Sequence, residues 1–211
     1  WFAADQPEEP RELAVQLANK TALRRNPEVR KALAAYVEQE PMPRLKNRIQ
    51  NILNSDDKVY GEQLSKLITE QGPPQGTDGR RLEATAEFVE DLLHFRDYVF
   101  VEMTKINSSD AKACISCHGV PGRVPTLYLE PPDVAGYIPP DQLLANYRKM
   151  QQRVDLRNVE RSKFIQKPLN IQTGEEDGHQ GGVRYEAEDA GYQVIRRWVL
   201  RQVELQSGAI D

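Results

Sequence analysis

"KACISCHGV", residues 112–120, contains both cysteines of the chain, Cys114 and Cys117, and one of its three histidines, His118. The two thiols stand two residues apart, and the imidazole follows the second directly. A disulfide, half of a structural zinc site and a thioredoxin-like dithiol all use thiols at this separation. Zinc needs two further ligands at a similar spacing, and the chain has no second pair of cysteines. A dithiol of the thioredoxin kind sits in a βαβ setting, and the flanking sequence has no strand pattern to build one. A disulfide accounts for the cysteines but not for the histidine beside them.

The full pattern, C-x-x-C-H, is that of a c-type haem attachment site. The two thiols add across the vinyl groups of one haem and form thioethers. A short helical turn brings both to one edge of the ring, and His118 then lies under the iron as proximal ligand. For the sixth position the first candidate is His179 in "GHQGGV", where glycines let the backbone approach a flat ring. Met150 in "YRKMQQRV" is the alternative through sulfur; Met103 and His94 are further candidates, each also readable as core packing. An iron left open is the remaining possibility. Two histidines favour ferric iron and shut out small molecules, which leaves one-electron exchange; an open iron would take peroxide, oxygen, nitric oxide or carbon monoxide. Around this centre, Pro121 or Pro125 could offer a carbonyl to His118 and fix its tautomer. Arg123 and Arg184 could pair with haem propionates. Tyr128, Tyr137, Tyr185 and Trp198 could wall the ring or simply fill the core. The run Glu175-Glu176-Asp177 reads as a solvated loop before it reads as a metal or docking site.

Outward from the motif, the pattern is helical on both sides. "NPEVRKALAAYV" has Asn26 as a cap and Pro27 at the first helical position, with Val29, Leu33, Tyr36 and Val37 on one face. "RLKNRIQNIL" repeats the habit with Leu45, Ile49, Ile52 and Leu53, and "GEQLSKLI" with Leu64, Leu67 and Ile68. "RLEATAEFVEDLLHFRDYVFVEM" gives a long helix through Leu82, Ala86, Val89, Leu92 and Leu93 that runs towards the cysteines. "PDQLLANYRKMQQRV" and "DAGYQVIRRWVLRQVEL" are further helices, the last with Tyr192, Ile195, Val199 and Val203 on one face. Residues 119–140 are a Pro-rich irregular loop, and "NIQTGEEDGHQGGVRY" is a Gly-rich one. The expected fold is all-α with long loops: a helical region at 1–70, a linker at 71–80 and a haem-bearing domain at 81–211.

The segment "FRDYVFVEMTKINSSDAKACISCHGV" resembles the haem-binding start of a c-type cytochrome domain. With "SKFIQKPLN", "GHQGGVRY" and "DAGYQVIRRWV" it is similar to the bacterial monohaem cytochrome c domains of large exported proteins, notably of planctomycetes. There a Lys-Pro-Leu segment precedes a His-x-Gly-Gly loop and a helix with Tyr and Trp. The resemblance covers about residues 95–203. It implies one covalent haem c held by Cys114, Cys117 and His118, with His179 as distal ligand, and a periplasmic or cell-surface location. This chain departs from it by the Pro-rich insertion after the motif and by the acidic "TGEEDG" before His179. The helices around 26–53 resemble a HEAT-type repeat, an ordinary helical bundle being the other reading.

With 211 residues, 39% hydrophobic and 28% charged, and a mean hydropathy of −0.66, the chain can build a core but not a membrane span. A net charge of −4 gives no basic excess for nucleic acid or acidic lipid. "WFAADQPEEP" shows neither a signal peptide nor an initiator Met, and reads as the start of a processed product. No nucleophile-elbow serine, phosphate-binding loop or dinucleotide pattern is present. The expected function is electron transfer by a monohaem cytochrome, with the N-terminal helices docking it to a larger redox complex, membrane-associated or extracytoplasmic. An open-site haem enzyme or sensor, and a structural subunit with a passive haem, are the two rivals.

Overall fold

Every regular element among the described residues is helical, in agreement with the all-α expectation. The structure, a computed structural model, describes residues 3, 5–18, 21–71, 86–106, 112–133, 136–171 and 179–207. The expected linker at 71–80, apart from Gln71, lies outside these residues, as do Leu82 and the run Glu175-Glu176-Asp177. The chain divides into two compact units, Trp1–Gln63 with Pro132–Pro140, and Leu64–Pro131 with Asp141–Asp211. No described helix is long and apolar enough to cross a membrane.

The first unit holds α1 (Glu8–Ala18), α2 (Thr21–Arg24), α3 (Pro27–Tyr36), α4 (Pro43–Asn54) and the start of α5 (Asp57–Gln71). Asn26 caps α3: its Oδ1 accepts from the backbone of Glu28 at 2.9 Å and of Val29 at 3.2 Å. Pro27, whose fixed φ suits a helix start and which has no N–H to satisfy, follows at once. Val15, Ala18, Leu33, Tyr36, Val37, Ile49 and Ile52 form the core, with Val29 and Leu53 packed at its margin. Each of the larger aliphatics contributes about 1.5–3 kcal/mol by leaving water. Two charged groups hold this bundle's ends. Arg30 donates to the carbonyls of Arg24, Ile52 and Leu53, closing the C-termini of α2 and α4. The Glu40 carboxylate is buried and receives Arg11, the Tyr36 hydroxyl at 2.7 Å and the Met42 N–H at 2.9 Å. Residues 132–140, part of the expected Pro-rich loop, join this unit: the Tyr60 hydroxyl donates to the Ile138 carbonyl at 2.6 Å.

The second unit is organised by a helical run from 86 to 104. It comprises α6 (Ala86–His94), a π turn (Phe95–Val99) and α7 (Phe100–Thr104). In the π turn the Phe100 N–H bonds to the Phe95 carbonyl five residues back. Phe88, Asp91, Leu92, Phe95, Val99, Phe100 and Met103 are buried, whereas Ala86 is exposed and Val89 and Leu93 only partly covered. Against this run pack α9 (Pro140–Gln151) and α11 (Ala190–Ser207), and α10 (Lys163–Gln166) packs on α11. Trp198 of α11 lies 5.1 Å from Phe95, 5.5 Å from Tyr147 and 5.7 Å from Phe164, centroid to centroid. Within this aromatic core sits a carboxylate. The Tyr147 hydroxyl donates to Asp91 at 2.6 Å, Gln202 Nε2 donates to it at 2.7 Å, and Arg201 pairs with it at 2.8 Å. Burial first, and Asp91 second, push the Tyr147 hydroxyl well above its ordinary pKa, so it stays a donor. Gln202 and Gln206 hold buried positions on α11, while Val203 is only partly covered.

Candidate functional site

Cys114, Cys117 and His118 lie on one turn, α8 (Ile115–His118). The backbone of Cys117 and of His118 bonds to the Cys114 carbonyl at 3.2 and 3.0 Å, so both thiols and the imidazole spring from one coil of chain. Gly119 closes it: a Cβ there would come 2.7 Å from the Ile115 carbonyl oxygen, a distance side chains do not tolerate. Both thiols are free. Burial raises the Cys114 pKa, and the nearby Arg184 partly offsets it.

The chain then doubles back onto His118. The Leu129 N–H donates to the His118 carbonyl at 2.8 Å, and His118 Nδ1 lies 3.0 Å from the Leu127 carbonyl. A carbonyl can only accept, so Nδ1 carries the proton, and in the neutral ring the lone pair is on Nε2. The carbonyl that orients His118 is thus Leu127, not Pro121 or Pro125, both of which are exposed. The reason is reach: the loop must travel past both prolines before it turns back onto the ring. Asn146 of α9 fixes this return, accepting from the Glu130 N–H at 2.8 Å and donating to the Glu130 carbonyl at 2.9 Å.

His179 is built by two segments that the sequence had set side by side, "KPLN" and "GHQGGVRY". The Pro168 carbonyl accepts from the backbone of Arg184 at 2.8 Å and of Tyr185 at 3.3 Å. Asn170 adopts a left-handed φ of 56°, a conformation Asn tolerates better than most residues. Its Oδ1 accepts from the His179 N–H at 2.5 Å. The Gly182 N–H donates to the His179 carbonyl at 2.7 Å, and His179 Nδ1 donates to the Gly182 carbonyl at 3.1 Å. Gly182 itself has φ +72°, and Gly181 lies so close that a Cβ would be 2.7 Å from His179 Cε1. Burial lowers the His179 pKa; the bond to Gly182 opposes this, and His118, Arg184 and Lys167 add to the lowering. The ring is therefore neutral at neutral pH, its Nε2 an open lone pair.

The fold brings the two imidazoles together. Their centroids are 6.2 Å apart and their planes differ by 2°. Two imidazoles bound through Nε2 on opposite sides of one first-row metal ion, at about 2.0 Å each, place their centroids roughly 6.3 Å apart. Among the described residues no group of three or more His, Cys, Asp or Glu could hold a bare ion. A histidine pair alone suits a metal that brings its other four ligands with it, as a porphyrin does. The residues are compatible with a haem: two histidines at a matching gap, each with Nδ1 tied to a carbonyl, and two free thiols one turn from the first.

The other candidates have separate places. Met150 and Met103 are buried on α9 and α7. His94 is half-buried on α6, its ring 4.8 Å from Tyr98. Trp198 is fully buried among Phe95, Tyr147 and Phe164, and Tyr137 packs edge-on against Tyr60 in the first unit, so these rings serve the cores. Tyr128 carries Lys149 over its face and bonds Glu130. Tyr185 is buried and donates to the Glu102 carbonyl at 3.1 Å. Arg123 is exposed, whereas Arg184 is buried and donates to the carbonyls of Gly181 and Lys112. Asn170, Asn146, Leu127 and Gly181 were missed as supports. An Asn closing "KPLN" just before a Gly-rich loop was the one available signal, since Asn and Gly are the residues that enter left-handed conformations. No family model, no curated protein and no solved structure matches the chain.

Proposed function

We propose that the chain is a monohaem c-type cytochrome that transfers electrons between redox partner proteins outside the cytoplasm. The observation that carries this is the His118–His179 pair, parallel and 6.2 Å apart, beside a C-x-x-C turn. Cys114 and Cys117 would hold the haem covalently, and His118 and His179 would take its two axial positions. The bound haem supplies reversible one-electron exchange. The chain's own part is to keep the site rigid. The carbonyls of Leu127 and Gly182 each accept from an Nδ1–H, which selects the tautomer whose ligating nitrogen is Nε2 and fixes the ring's direction. Asn146 and Asn170 hold the two loops that carry these carbonyls. With both imidazoles held, little has to move when the charge on the iron changes, which favours electron exchange over ligand exchange.

The test is maturation in a bacterial host that attaches c-type haem to exported chains. The expected product has the intact mass of the chain plus one haem, stains for haem after denaturing electrophoresis, and shows a six-coordinate low-spin spectrum unmoved by carbon monoxide after reduction. A mass equal to that of the bare chain sinks the proposal. Covalent haem that binds carbon monoxide readily would instead favour an open-site enzyme or sensor.

A further inference from the structure

Arg184 stands between the two halves of the site. Its side chain donates from Nη2 to the carbonyl of Gly181, in the loop that carries His179. From Nη1 it reaches the carbonyl of Lys112, two residues before Cys114, at 3.4 Å. The residue is 6% exposed, so this charge is held away from water. Its own backbone N–H is bonded to Pro168, which fixes the stem from which the fork extends. One planar group with donors on two arms thus ties the distal loop to the entry of the attachment turn, a geometry that a lysine, with one compact ammonium, does not reproduce.

Resting on the proposed function, we infer that Arg184 is a positioning residue: its fork sets the gap between His118 and His179, and its buried charge raises the reduction potential of the centre. A cation at this place favours the reduced state, which carries one positive charge fewer. The two roles separate by substitution. Arg184→Lys keeps the charge and loses one arm of the fork, whereas Arg184→Gln loses both.

The measurements are carbon monoxide binding to the reduced haem protein, its midpoint potential, and hydrogen exchange of residues 179–186. In Arg184→Gln the carbon monoxide-reactive fraction and the exchange rate rise roughly tenfold or more, the loss expected for buried hydrogen bonds to a charged group, and the potential falls. In Arg184→Lys the reactivity rises similarly while the potential stays near that of the wild type. The inference is overturned if both variants stay as closed to carbon monoxide as the wild type, or if Arg184→Lys lowers the potential as far as Arg184→Gln. Should Arg184→Gln fail to accumulate, Arg184→Lys alone decides the positioning role. A wild type without covalent haem, or without a six-coordinate iron, overturns the proposed function itself, an outcome distinct from these.

Discussion

On the proposed haem coordination by His118 and His179, Gly181→Ala is the most demanding test of the loop that carries His179, because it adds one methyl group in a known place. That Cβ would lie 2.7 Å from His179 Cε1 and 3.2 Å from both ring nitrogens. To regain even the short end of ordinary contact, 3.4 Å, the ring must retreat by about 0.7 Å. Metal–imidazole bonds tolerate about 0.2 Å, so the shift cannot be absorbed at the metal. Nor can the loop give way cheaply: the His179 N–H is bonded to Asn170, its carbonyl to Gly182, and the Gly181 carbonyl to Arg184. Overpacking of this kind costs about 1–3 kcal/mol, and each 1.4 kcal/mol is tenfold. The ratio of bound to unbound distal imidazole should therefore fall roughly 5- to 150-fold. The assay is the high-spin fraction of the oxidised protein and the carbon monoxide-reactive fraction of the reduced one. Gly182→Ala is the control. Its φ of +72° makes alanine strained by about 1–2 kcal/mol, yet nothing lies within 4 Å of its Cβ. It should lower the melting temperature and, because Gly182 holds the His179 carbonyl and Nδ1 only through its backbone, shift the spectrum less than Gly181→Ala does. A Gly181→Ala protein as low-spin and as closed as the wild type refutes the argument.

Three more outcomes follow from the geometry. The 2° angle between the imidazole planes predicts a rhombic low-spin ferric EPR spectrum, and the strongly anisotropic signal of perpendicular imidazoles would contradict it. Tyr147→Phe removes the hydroxyl that donates to buried Asp91 and should cost about 1.5–3 kcal/mol in denaturant unfolding; an unchanged midpoint would mean that Gln202 and Arg201 satisfy Asp91 alone. For Glu40, burial alone would raise the pKa, but bonds from Tyr36, Met42 and Arg11 outweigh it and hold the carboxyl below its ordinary value. Its stabilising effect is then complete above about pH 4.3 and lost as pH falls through the lower folded-state value. Glu40→Gln should be less stable than the wild type at neutral pH and show a flatter acid limb; parallel acid limbs would refute the assignment.

What could be read from the sequence was whatever depends on near neighbours. The cap at Asn26 and Pro27, the coil carrying Cys114, Cys117 and His118, and the apolar faces of α3 and α4 all follow from residues within a turn or two of each other. What escaped depends on distant contacts. A carboxylate at position 91 reads as solvated, and only Tyr147, Gln202 and Arg201, brought from two other helices, make its burial tolerable. The face of α6 buried at Phe88 and Leu92, rather than at Ala86, Val89 and Leu93, is likewise chosen by the helices that pack on it. The same holds at the centre. His118 and His179 are each plausible ligands alone, but 61 residues separate them in the chain. Leu127 and Gly181 act there through backbone carbonyls, which carry no residue-type signal, and Asn170 and Arg184 through their side chains. A histidine pair built in this way depends on main-chain geometry as well as on side-chain identity. Substitutions that change backbone freedom, such as those at Gly181 and Asn170, should therefore disturb the iron's coordination more than exchanges among the surrounding aromatic rings.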